Sequence, residues 1–167
     1  MEKPLYKGKL LDLWRKKIKL PNGYTACLEI IKHPGASLII PFLDKNRIIF
    51  LRQYRPVIDS YIYELPAGTL DKGEDPLACC RREIVEETGY AASKFKRLGF
   101  IYPVPGYSTE KITIYRAEGL KKTARNIQKD EVIRGLVLTK SRVCGLFKSG
   151  KIVDAKTIAA LAMCGWL

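Results

Sequence analysis

The chain reads as an α/β fold, with helices packed on a mixed β-sheet. Three observations point there. The apolar runs Leu38-Ile39-Ile40 and Ile48-Ile49-Phe50-Leu51 show no polar alternation, as expected of central strands buried on both faces. One short acidic helix, opening after Asp75 and stopped by Gly89, lies between strand-like stretches. A pair of helices ends the chain, giving elements for packing on a sheet.

Taken in order, residues 5–31 predict a β-hairpin. Residues 11–20 partly alternate, Pro21-Asn22-Gly23 is a strong turn signal, and Tyr24, Ala26, Leu28 and Ile30 line one face of the return strand. His33-Pro34-Gly35 breaks it. Residues 37–43 and 47–54 predict the third and fourth strands, joined by a turn at Asp44-Lys45-Asn46, and residues 61–65 a short strand ending in Pro66-Ala67-Gly68. After the acidic helix come strands at 96–102 and 110–118, separated by a loop with two prolines at 103–109. Residues 123–130 are polar and predict a flexible loop, and 132–138 the last strand. Thr139 or Ser141 can cap a helix running through Lys148. Asp154 can cap a terminal helix at 155–164, with Ile158, Leu161 and Ala162 facing the core.

Composition narrows the classes. At 167 residues the chain is one domain by the usual length prior, long enough for a proper core. It has no apolar run of about 18 residues to cross a membrane and no apolar leader core near Met1, so the expected location is the cytoplasm. Five cysteines form no C-x-x-C pair and predict reduced thiols. His33 is the only histidine, which argues against zinc. The net charge of +13 fits either a funnel for a small anion or a nucleic-acid surface, and no aromatic-basic RNA motif accompanies it.

Within this basic chain, Glu74, Asp75, Glu83, Glu86 and Glu87 form an acidic island 14 residues long. Asp75 and Pro76 suit a helix start. A helical period of about 3.6 residues gathers Glu83, Glu86 and Glu87 on roughly a third of the circumference. Leu77, Cys80 and Ile84 fall on an adjoining apolar sector. Three carboxylates on one face repel one another unless a cation sits among them, and clustered hard oxygens suit Mg²⁺ or Mn²⁺.

Residues 68–90 resemble the Nudix box, Gly-x5-Glu-x7-Arg-Glu-U-x-Glu-Glu-x-Gly-U, where U is apolar. Gly68, Glu74, Arg82, Glu83, Ile84, Glu86, Glu87, Gly89 and Tyr90 fill its defined positions, Tyr90 being a mild variation at the last. The resemblance implies an α/β/α sandwich and metal-dependent hydrolysis of a nucleoside diphosphate linked to another group. It makes Glu83, Glu86 and Glu87 the expected metal ligands, with the Ala67 carbonyl beside them. Arg82, four residues before Glu86, would orient that carboxylate, while Glu74 supports the loop.

Outside the box, three features are similar to the ADP-ribose pyrophosphatase branch. Pro105 lies 16 residues after Gly89, in the loop Pro103-Val104-Pro105-Gly106. Arg52-Gln53-Tyr54-Arg55 is followed by Glu64-Leu65-Pro66-Ala67-Gly68, and the chain ends in Gly150-Lys151-Ile152 and an Ala-rich helix. The branch implies that Arg55, Glu64, Pro105 and Gly106 are on the substrate side. A further carboxylate would position the water, with Glu131 the first match, Glu110 the second and Asp130 the third. Residues 1–36 would form a dimerising β extension to a Nudix domain at 37–167, with Trp14 either stacking on the partner's adenine or packing in the interface. The expected reaction takes ADP-ribose to AMP and ribose 5-phosphate. The alternatives are another substrate such as GDP-mannose, a diadenosine polyphosphate or an oxidised nucleoside triphosphate, or a non-hydrolysing ADP-ribose sensor. A sensor would be expected to have a damaged box, and here each box glutamate is present.

Overall fold

The computed structural model describes residues 2–8, 11–124 and 132–167. Strand β4 (Ala36–Pro41) is buried along its whole length, as its unbroken apolar run requires. It sits inside a four-stranded sheet with β7 (Ala67–Thr69) on one side and β9 (Ile112–Lys122) then β8 (Tyr90–Ile101) on the other. β4 runs parallel to β9 and antiparallel to β7, and β8 is antiparallel to β9, so the sheet is mixed.

The alternation along β4 sets the layers. Leu38 and Ile40 enter the larger core, with Ile112 and Ile114 from β9. Ile39 faces the other way, onto Cys80 and Ile84, with Tyr115 and Ala117 beside it. Helix α1 (Pro76–Glu83) therefore covers one face of the sheet. Helices α2 (Lys140–Lys148) and α3 (Ala155–Met163) supply Val143, Leu146, Ala160 and Leu161 to the other. A second sheet of order β10-β5-β6, from β5 (Arg47–Arg55), β6 (Ser60–Glu64) and β10 (Ile133–Thr139), contributes Ile48 and Phe50 to that larger core. The result is the expected α/β/α arrangement.

The helix starts follow their caps. The Asp75 carboxylate accepts from the N–H groups of Leu77 and Ala78, and the buried Ser37 hydroxyl donates to the Pro76 carbonyl, fixing α1 to β4. Thr139 rather than Ser141 caps α2, and Asp154 caps α3. Gly89 stops the acidic helix in the left-handed region, at φ 72°.

Several elements differ from expectation. The N-terminal hairpin is a three-stranded antiparallel meander, because β1 (Glu2–Lys7) pairs with β2 (Asp12–Lys19), which pairs with β3 (Thr25–Lys32). Pro4 hides β1 in the sequence, yet an edge strand tolerates a missing N–H. Ala67-Gly68-Thr69, expected to lie beyond the end of the strand at 61–65, pairs with β4 as strand β7. Strand β8 begins at Tyr90, directly after the helix stop, and not at Lys96. The acidic helix widens into a π-turn at Ile84–Thr88, so a constant 3.6 period does not hold through Glu86 and Glu87. On α3, Ala162 is exposed and Thr157, Ala160 and Leu161 are the buried residues. The polar stretch at 125–131 lies outside the described residues.

The end of β3 is stitched to the loop after β8. Ile31 N–H donates to the Tyr107 carbonyl at 2.8 Å, Thr109 N–H donates to the Ile31 carbonyl at 3.0 Å, and His33 N–H donates to Thr109 Oγ1 at 2.9 Å.

A second tie holds the strand leading to β7. The fully buried Thr157 Oγ1 accepts from Leu65 N–H at 2.9 Å. Thr157→Val keeps the shape but leaves that buried donor unpaired, so it should destabilise the fold by about 1–3 kcal/mol in urea unfolding.

Candidate active site

The acidic helix is organised by Arg82. Its guanidinium donates to both Glu74 oxygens at 3.1 and 3.0 Å, to Glu83 Oε1 at 2.5 Å, to Glu86 Oε2 at 3.3 Å and to the Thr69 carbonyl at 3.3 Å. The Glu74 pair, then the charge of Glu83, holds Arg82 far above its ordinary value against the opposing effect of burial. Reciprocally, Arg82 lowers the Glu74 carboxyl. Glu74 also accepts from Asp71 N–H, closing the Gly-rich loop. Burial, then the Glu83 charge, pushes the neighbouring Cys79 thiol up to about 12, so it stays protonated and inert.

Strand β7 brings the backbone of Ala67 and Gly68 against this helix. Ala67 N–H donates to Glu87 Oε2 at 3.0 Å. The space where a Gly68 side chain would stand is filled by Glu83, whose Oε1 would lie 1.7 Å from an added Cβ. Glu83 and Glu87 are both buried, and Glu86 is half-buried.

Ala67, Gly68 and Thr69 also line a cavity of about 380 Å³, with Ala36, Pro103 and Ile112. Its charged lining is Arg55, Glu110, Asp154 and Lys156. Arg55 and Lys156 are held from beneath by Glu64, which is 1% exposed. Arg55 Nε and Nη2 donate to the two Glu64 oxygens at 2.6 and 2.7 Å, a bidentate pair. Lys156 Nζ donates to Glu64 Oε2 at 2.5 Å and to Asp154 Oδ1 at 2.9 Å. Burial disfavours a charged Glu64, but the Arg55 hydrogen bond and the Lys156 charge outweigh it, and the net shift is downward.

Of the residues singled out in the sequence, Arg55, Ala67 and Glu110 line the cavity, and Glu83 and Glu87 pack directly against its β7 wall. Glu64 is a buried strut below the cavity. Pro105 and Gly106 sit exposed in the turn of their loop, and Pro103 is the loop residue at the cavity. Trp14 lies in the N-terminal sheet, with Lys32 Nζ 3.6 Å above its ring and Asp12 accepting from its indole N–H. Glu131 and Asp130 lie outside the described residues. Lys156 and His33 were not among the site residues expected from the sequence. His33 Nδ1 accepts from Gly35 N–H and its Nε2 faces Glu110 Oε1 at 3.9 Å. Asp154 was legible only as a helix cap, and nothing local distinguished Lys156 two residues later.

Among the described residues, no three carboxylate, thiol or imidazole groups converge on a single point. The Arg82 guanidinium stands between Glu74, Glu83 and Glu86. The donor chemistry nonetheless fits a hard divalent cation: Glu83, Glu86 and Glu87 follow one another along the helix, and the missing Cβ of Gly68 makes the cradle for Glu83.

Two outcomes follow. Gly68→Ala should push the Glu83 carboxylate from its place and weaken Mn²⁺ binding by about tenfold or more, measured by isothermal titration calorimetry. Glu64 concerns stability. Its folded carboxyl titrates below the ordinary 4.5, so its ion pairs stabilise fully above that pH and lose effect as pH falls through the folded value. Glu64→Gln should cost about 3 kcal/mol near neutral pH, the low end for a broken buried pair because Arg55 is 40% exposed. Urea unfolding over a pH series should show parent and variant converging below pH 4.5.

Comparison with known proteins agrees with this geometry. Residues 32–160 match the NUDIX domain family model. The chain is 36% identical over 159 residues to the ADP-ribose pyrophosphatase of Bacillus subtilis (strain 168), covering 94% of this chain and 86% of that protein. The Methanol dehydrogenase activator of Bacillus methanolicus is likewise 36% identical, with the same coverage. A crystal structure of an ADP compounds hydrolase superposes with a TM-score of 0.85 at 21% identity, covering 98% of this chain and 89% of that one, and so shares the fold. The chain belongs to the Nudix family.

Proposed function

We propose that the chain hydrolyses the diphosphate bond of ADP-ribose to AMP and ribose 5-phosphate, using Mg²⁺ or Mn²⁺. The observation that carries this is the contact of the acidic helix with the cavity wall: Glu83 fills the Gly68 cradle and Glu87 takes the Ala67 N–H. Carboxylates thus meet a cavity whose lining also presents Arg55 and Lys156. The choice of ADP-ribose is supported by the curated relative from Bacillus subtilis.

Glu83, Glu86, Glu87 and the Ala67 carbonyl would hold the divalent ion. When bound, such an ion neutralises the diphosphate and lowers the pKa of a bound water. Arg82 holds Glu83 and Glu86 in place from the loop side. Arg55 donates to the diphosphate or to the terminal ribose phosphate. Glu110, at the cavity edge, orients the attacking water and takes its proton, with Glu131 the alternative for this role. The water oxygen bonds to one phosphorus as the bridging P–O bond breaks, and the bridging oxygen leaves with the other phosphate. Pro105 and Gly106 hold the substrate-side loop.

The extension at 1–36 serves dimerisation with a second copy, and the domain at 37–167 carries the chemistry. Exposed Leu5, Tyr6, Leu11, Tyr24 and Leu28 support such an interface, which would place Trp14 near the partner's site or in the contact. Five unbridged cysteines fit a reducing cytoplasm. No helix among the described residues is long and apolar enough to cross a membrane.

Glu87→Gln, assayed on ADP-ribose at saturating Mg²⁺, should lower kcat by roughly 100-fold or more, and retention within a few-fold would overturn the ligand role. A panel of ADP-ribose, GDP-mannose, a diadenosine polyphosphate and an oxidised nucleoside triphosphate should give its highest kcat/KM with ADP-ribose. Tight ADP-ribose binding with no turnover on any of them would make the chain a sensor.

A further inference from the structure

Lys156 is an odd residue for its position. It is the second residue of α3, where exposed N–H groups and the helix dipole disfavour a cation. Its Nζ is held by two carboxylates from different elements, Glu64 at the end of β6 and Asp154 at the helix cap, yet it still lines the cavity, with its side chain 19% exposed. Buried ion networks are seldom the most stable way to fill a core. This one has a geometric product. Glu64 Oε2 accepts from both Lys156 and Arg55, so the carboxylate that fixes the Arg55 fork is itself held by a second cation. Arg55 spends Nε and Nη2 on Glu64, while Nη1 makes no protein hydrogen bond among the described residues and Arg55 lines the cavity.

The same turn of α3 pins the strand carrying these groups. Asp154 caps the helix with one oxygen and holds Lys156 with the other, and Thr157 accepts the Leu65 N–H. The sequence Asp154-Ala155-Lys156-Thr157 is therefore one clamp on Glu64 and Leu65.

We propose that Lys156 is a positioning residue for substrate binding: through Glu64 it holds the Arg55 guanidinium in the one orientation that presents Nη1 to the anionic part of a nucleoside diphosphate. This rests on the proposed hydrolase function, with Arg55 as the substrate contact. Lys156 acts on the substrate through Arg55, so its effect belongs to KM and depends on Arg55 being present.

The test is a double-mutant cycle with ADP-ribose as substrate, comparing the parent, Lys156→Met, Arg55→Gln and the double variant. Lys156→Met should raise KM by about tenfold with kcat within about threefold, the loss of one well-held charged contact. Lys156→Arg, which restores a cation, should return KM to within about threefold of the parent. In the Arg55→Gln background, Lys156→Met should change KM by less than about twofold. An unchanged KM in Lys156→Met, or the same factor in both backgrounds, overturns the proposal; the latter is what a merely structural role predicts. If Lys156→Met does not fold by circular dichroism, Lys156→Gln takes its place in the cycle. Failure of the proposed function is read separately from the parent alone. If the parent cleaves another member of the panel, the cycle runs on that substrate. If it binds ADP-ribose without cleaving it, Kd from calorimetry replaces KM with the same expected factors.

Discussion

Mutual repulsion among carboxylates is the constraint on which the rest of the site depends. Glu74, Glu83 and Glu86 are brought within reach of one guanidinium, and Arg82 spends its donors on them and on the Thr69 carbonyl. The Gly-rich loop is long enough to return Glu74 to the helix. Gly68 must lack a side chain because Glu83 is already in that space. Glu87 needs a donor from outside the helix and finds it in the Ala67 N–H. Each requirement bears on part of β7, a strand of three residues set by its distant contacts rather than by its own propensity.

The cations that line the cavity pose the reverse problem. Two cations, Arg55 and Lys156, converge on the buried Glu64 at the end of β6, and Asp154 holds Lys156 as well. The two clusters use the same device with the signs exchanged: one Arg among glutamates at the helix, one Glu shared by two cations at the cavity. On the function proposed, a diphosphate ester with its metal would meet both signs of charge there.

Much of this was legible in the sequence, because the signals were local. The β4 run, the Asp75 cap and the Gly89 stop each act within a few residues. The spacing of Arg82 and the glutamates could be read for the same reason, although the π-turn at Ile84–Thr88 alters their phase without an obvious local mark. What escaped was set by distant pairing. Pro66-Ala67-Gly68 reads as a turn, and β7 becomes a strand because Ser37 and Leu38 offer it a partner. Lys156 meets Glu64 across 92 residues of sequence, and no local pattern encodes that meeting. His33 faces Glu110 across a similar gap.

The bonds between the end of β3 and the loop at Tyr107 and Thr109 bear on where the molecule can be divided. By sequence, residue 36 looks like a seam between an appendage and a catalytic body. Hydrogen bonds nonetheless cross it. The loop that carries Pro103 and Glu110 to the cavity uses Ile31 and His33 as its backbone partners. The meander therefore acts as a buttress for one cavity wall, and trimming the chain at that seam would remove masonry from the candidate site along with the appendage.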